Sequence, residues 1–230
     1  MFDPKSLLDQ FLGSQPGAAM RDAGQSVQGR LDQYSGSGGF IRGAAAGGLL
    51  GLLLGGRGRS SGGLLGYGGA AALGALALKA YQNYQQQRAV VPAKITPDSV
   101  AAISYESLPH AQPAADGGSF QPVLIRAMIA AAKADGHMDA DEQQKLFNEV
   151  ERMGLNAEAK AAVFGFLSQP VDLDAITRAV ATPEQAAEIY LASRMAMVPD
   201  QPAERAYLDA LAIRLKLPAE LRSHLDASSD

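Results

Sequence analysis

Glycine recurs every fourth residue across two apolar runs near the start of this chain. It stands at Gly43, Gly47, Gly51 and Gly55, and again at Gly62, Gly66 and Gly74, with Ala70 filling the remaining step. On a helix this spacing gathers the small residues into one smooth stripe, which lets a second helix approach closely. In water each such glycine costs about 1 kcal/mol relative to alanine. Lipid penalises every unbonded backbone group and so suppresses the non-helical alternatives. The pattern therefore suits a bilayer better than water, and it predicts a glycine-rich membrane helical hairpin over residues 40–80.

The first run, 40–56, carries Arg42 as its one charge, the second, 62–78, carries none, and Arg57 and Arg59 lie in the polar break between them. Both runs fall short of the about 20 apolar residues that a spanning helix takes. Three readings stay open: a tight hairpin that spans, a shallow re-entrant or interfacial hairpin, and a soluble or disordered Gly/Ala segment. Arg21, Arg30, Lys79, Arg88 and Lys94 flank the runs, and this excess of positive charge places both ends in the cytoplasm. The first long apolar run begins only near Phe40, too late for a cleaved signal peptide.

The rest of the chain is written differently. Residues 1–80 hold 20 of the 25 glycines. Residues 1–119 hold 9 Lys/Arg against 7 Asp/Glu, whereas residues 120–230 hold 11 against 17, and the two nets of +2 and −6 sum to the overall −4. An acidic C-terminal half excludes nucleic acid as its partner, because phosphate binding needs clustered Lys/Arg. The absence of cysteine removes disulfides, zinc–thiolate sites and thiol chemistry.

Residues 1–39 read as a flexible segment with a short amphipathic helix carrying Leu7, Leu8, Phe11 and Leu12 on one face. Residues 81–119, with Pro92, Pro97, Pro109 and Pro113, read as a linker. From Phe120 to the end, apolar residues recur at helical spacing between Pro, Gly, Asp and Asn punctuation. This predicts about seven short helices, near 121–134, 140–153, 156–168, 173–180, 183–197, 202–216 and 218–226. The fold class is all-α.

The densest group of chemical side chains is Lys133-Ala134-Asp135-Gly136-His137-Met138-Asp139-Ala140-Asp141-Glu142. Asp135, Asp139 and Glu142 converge if the loop folds back, and hard cations such as Ca²⁺ or Mg²⁺ take such oxygen clusters. The competing reading is structural: Asp139 and Glu142 form a capping box, and Gly136 ends the preceding helix. A second junction, with Asp200 and Glu204 around Pro202, looks like a worn copy of the first, and Asp200 there is equally suited to capping a helix. No nucleophile–base pair and no phosphate-binding loop stands out, so the chain reads as a non-enzyme.

At these residues the chain resembles the YebE-like family of bacterial inner-membrane proteins, whose C-terminal part is similar to the TerB-like tellurite-resistance domain. The resemblance rests on Ala131-Ala132-Lys133-Ala134-Asp135-Gly136-His137-Met138-Asp139 with Glu142, extended by Glu188-Ile189-Tyr190 and Glu204-Arg205-Ala206-Tyr207-Leu208. It implies a TerB-like helical bundle at 120–230, a bacterial inner-membrane location and no established enzymatic activity. It also implies divalent-cation binding through Asp135, Asp139, Glu142, Asp200 and Glu204. Val198 stands where another acidic residue is expected, and Pro199 and Pro202 are also unusual. The expected partners are the lipid bilayer, a second copy through the glycine-rich helices, and an envelope protein. The expected function is a membrane-anchored, non-catalytic binding module of a stress response; the alternative is a glycine-zipper hairpin that oligomerises or shapes the bilayer, with the helical domain as docking element.

Overall fold

The computed structural model describes residues 3–12, 70–86, 89–90, 92–93, 95–134, 157–197 and 201–229. Among these residues the chain is all-helical, and its one β-type contact is an isolated antiparallel bridge between Pro113 and Ser119. The helices are α1 Pro4–Leu12, α2 Ala70–Gln85, α3 Pro97–Ala101, α4 Gln121–Ala132 and α5 Ala157–Ser168. They continue as α6 Leu173–Arg178, α7 Pro183–Met195, α8 Pro202–Arg214 and α9 Ala219–Ser229.

Local chemistry sets the starts and stops. Thr96 and Ser99 form a reciprocal capping box at the start of α3. The Asp172 carboxylate accepts from Ala175 N at 2.8 Å to start α6, and the Thr182 hydroxyl accepts from Gln185 N at 3.2 Å to start α7. Pro183 and Pro202 sit in first turns, where a missing N–H costs nothing. After α8 the chain turns at Lys216, whose φ of 54° is left-handed, while Leu217 N reaches back to Ala212 O at 3.0 Å.

The core lies where α2 packs on α7 and α9 and where α7 packs in turn on α4. Leu73 and Leu76 of α2, Leu124, Ile125 and Met128 of α4, Ile189 and Tyr190 of α7 and Leu225 of α9 form one buried cluster. Leu7 and Leu8 of α1 join it from the side of α4. The N-terminal amphipathic helix is thus docked on the bundle.

Two described segments before residue 120 pack with the helices that follow it. Residues 70–78, the end of the second apolar run, belong to a helix buried inside the helical domain. Its small residues are covered by protein: α2 is flanked by α7 and α9, and Ala72 and Ala75 meet Val100 and Leu108. The supposed linker is also part of the structure. Between residues 95 and 119 it forms α3 and two 3-10 turns, Tyr105–Ser107 and Pro109–Ala111, laid over α2. Proline there ended the helical periodicity without ending the packing. No helix among the described residues is long and apolar enough to cross a membrane. The run 40–56, the break and residues 62–69 lie outside the described residues, as does the expected helix at 140–153.

Candidate functional site

Gly74 is the point from which the site is best built. In a helix interior glycine is a poor choice, yet here a Cβ would lie 2.8 Å from His110 Cε1, 2.9 Å from His110 Nδ1 and 3.0 Å from Glu188 Oε1. No methyl group fits. Glycine at this position makes room for two polar side chains pressed against the backbone of α2.

Those side chains are a matched pair. His110 Nδ1, from the second 3-10 turn, lies 2.5 Å from Glu188 Oε1 on α7, and both side chains are 0 % exposed. A hydrogen bond between an imidazole and a carboxylate is charge-assisted when the ring carries its second proton. The outer atoms, His110 Nε2 and Glu188 Oε2, are buried without a hydrogen-bond partner among the described residues. A buried polar atom left unpaired costs about 1–3 kcal/mol, so this corner of the core departs from the usual full pairing.

Neighbouring groups hold the pair in place. One helical turn before Glu188, the fully buried carboxamide of Gln185 accepts from Ala181 N at 2.8 Å. Its Nε2 faces three carbonyl oxygens of the covering segment, Pro109 and Gln112 at 3.3 Å and Pro113 at 3.0 Å. Two amide hydrogens are thus shared among three acceptors. Tyr105 sets its ring edge-on to His110 with centroids 5.8 Å apart, and its hydroxyl accepts from Gln121 Nε2 at 3.2 Å. Burial raises the Tyr105 pKa, with smaller contributions from nearby carboxylates, against the Gln121 hydrogen bond. On its outer face the same ring carries the Lys5 ammonium at 4.0 Å. The first helix, the cover and α7 therefore meet at one cluster.

The expected cation ligands stand elsewhere. Asp135, Asp139, Glu142 and Asp200 lie outside the described residues. Glu204 is described: it is buried in the first turn of α8, and its Oε2 accepts from Gln201 N at 3.1 Å, the capping role that competes with metal binding. Among the described residues no three His, Cys, Asp or Glu side chains gather as a metal site would require. Lys133, from the same sequence string as Asp135, donates to Leu167 O at 2.8 Å and Gln169 O at 2.7 Å, closing the end of α5. Burial there lowers its pKa.

A further polar group ties the last three helices. The Tyr190 hydroxyl donates to Asp226 Oδ1 at 2.8 Å and accepts from Arg222 Nε at 2.9 Å, while Arg222 Nη2 reaches Asp209 Oδ1 at 2.6 Å. Burial, then the bond to Asp226, pushes the Tyr190 pKa well above its ordinary value. A groove of about 410 Å³ opens between the end of α2 and the start of α7, lined by Tyr81, Tyr84, Thr182, Leu215 and Leu217 among others.

Sequence reasoning missed His110, Gln185 and Glu188 as a unit. His110 sits in a proline-rich stretch, and Glu188 follows it by 78 positions. One signal was present: Gln185 and Glu188 fall three residues apart on a helix that is otherwise read as apolar toward the core.

The chain is 29 % identical over 103 residues to a protein of Yersinia enterocolitica described as an uncharacterized protein in the ampR 5' region, covering 45 % of this chain and 74 % of that protein. No solved structure matches. The model of a family described as a protein of unknown function, DUF533, matches residues 39–229. That match takes in both the glycine-rich run and the helical bundle with its His110–Glu188 pair, and the chain belongs to the DUF533 family.

Proposed function

We propose that this chain is a non-catalytic, membrane-associated module of the bacterial inner membrane, in which the glycine-rich segment is the anchor and the helical bundle is the part that binds an envelope protein. The observation that carries this reading is the position of α2. This helix, whose first nine residues are the end of the second apolar run, is buried against α7 and α9, so the sequence of the proposed anchor leads directly into the bundle. The non-catalytic part draws support from His110 and Glu188, the closest acid–base pair described. Both are 0 % exposed with residues 95–119 packed over them, whereas a general base needs its proton within hydrogen-bond reach. The groove beside Tyr81 and Tyr84 is concave and largely apolar, the kind of surface a partner segment fills.

Carbonate extraction of bacterial membranes tests the reading, using the full chain and a variant lacking residues 40–69. The full chain stays in the pellet and the shortened chain moves to the supernatant. Full-length protein found in the carbonate supernatant overturns the anchor.

A further inference from the structure

We propose that residues 95–119 form a releasable cover, a segment that lifts from the bundle as a unit, with the space at Gly74 deciding whether it is seated. Three observations lead there. The cover's apolar footing is divided: Val100 and Leu108 rest on Ala72 and Ala75 in a cluster separate from the main core, which the segment touches through the small Ala114 and through Ile95. Among the described residues its other fastenings are polar: the three carbonyls gathered by Gln185, the bond from Ala115 N to Ala179 O at 2.9 Å, the Tyr105 hydroxyl on Gln121 at 3.2 Å with Lys5 over the same ring, and the His110–Glu188 contact. Finally, the seated state leaves His110 Nε2 and Glu188 Oε2 buried without partners among the described residues, and water would satisfy both once the cover lifts.

Local opening follows the balance of fastenings. Main-core helices open only when large side chains such as Leu124 and Ile189 lose their packing, whereas the cover opens when its bonds to Gln185, Gln121, Ala179 and Glu188 and the contacts of Val100, Leu108 and Ala114 release together. Gly74 is the gauge of that step, since a Cβ there would reach His110 Cε1 at 2.8 Å before meeting any other group. A shift of α2 toward the cover acts in the same way as an added methyl. Position along α2 and seating of the cover are therefore coupled. Lifting uncovers the Glu188 carboxylate, the Gln185 carboxamide and the small-residue face of α2 together.

Hydrogen exchange read by mass spectrometry on the full chain tests this, comparing wild type, Gly74→Ala, His110→Ala and the double variant. In the wild type, amides of 97–119 exchange about tenfold or more faster than those of 121–132 and 186–195, as expected of a low-stability unit. Gly74→Ala raises exchange across 97–119 about tenfold further and leaves α4 and the second half of α7 within about twofold. Removing the ring restores room, so the double variant protects α2 better than Gly74→Ala alone does. Three results would overturn the proposal: equal exchange of cover and core in the wild type, an even loss of protection over the whole bundle in Gly74→Ala, or a double variant no better than the single one.

Discussion

The main core and the cover over α2 both bury side chains completely, yet they are held by opposite means. Around α4 and α7 the contacts are aliphatic and many, so each is dispensable in small part and the whole resists opening. Over α2 directional contacts take a larger part: a shared carboxamide, a histidine–carboxylate bond, a tyrosine hydroxyl on Gln121 and a backbone bond to Ala179, beside small apolar contacts of Val100, Leu108 and Ala114. Full burial is therefore a poor guide to how firmly a segment is attached. Directional bonds specify one seated geometry, and losing one of them costs the whole arrangement.

The sharpest way to break this contrast is to damage each region in turn. Leu124→Ala, in the middle of α4, should cost about 2–5 kcal/mol in urea unfolding, because the cavity cannot collapse. It should raise exchange everywhere at once. A loss confined to α4 would show that the core is no more cooperative than the cover.

His110→Ala should cost less, about 1–3 kcal/mol, since the stranded Glu188 carboxylate meets water when the cover lifts. A global loss at the upper end of the buried-pair range, about 5 kcal/mol, would mean that the cover cannot open by itself.

Alkaline pH probes the core through Tyr190 and Tyr207, both with pKa values raised above the ordinary value of about 10, chiefly by burial. The unfolded chain loses these protons as the pH passes about 10 while the folded chain keeps them. Stability is thus whole below about pH 10 and falls above it, by about 1.4 kcal/mol per pH unit for each tyrosine. Urea midpoints measured through this range check it, and flat midpoints would place both hydroxyls in contact with solvent.

The smallest effect belongs to Thr96→Ala at the start of α3. Loss of this cap, worth about 1 kcal/mol, should speed exchange at 97–102 and leave the thermal midpoint of the bundle nearly unmoved. A clear drop in that midpoint would tie the cover to global unfolding.

The same contrast explains what could be read from the sequence. The helices of the main core were legible because aliphatic burial leaves a periodic trace: the expected 183–197 is observed as Pro183–Met195, and 202–216 as Pro202–Arg214. The cover left no such trace. Pro97, Pro109 and Pro113 break periodicity, and the bonds that seat the segment join residues 72–78 positions apart. Leu73 and Leu76 looked like residues of a lipid-facing run because hydropathy does not record whether protein or lipid covers a side chain. Of the expected cation ligands only Glu204 lies among the described residues, where it closes a helix start.

The glycine at 74 finally has a consequence for how relatives of this chain vary. A residue kept small by steric need is free to grow once its neighbour shrinks. Relatives with alanine or serine at the position of Gly74 should therefore carry a smaller residue at the position of His110, and should lose the acid at that of Glu188 with it. In that lineage record the three sites would change as a set, while the aliphatic positions of α4 and α7 exchange among themselves one at a time.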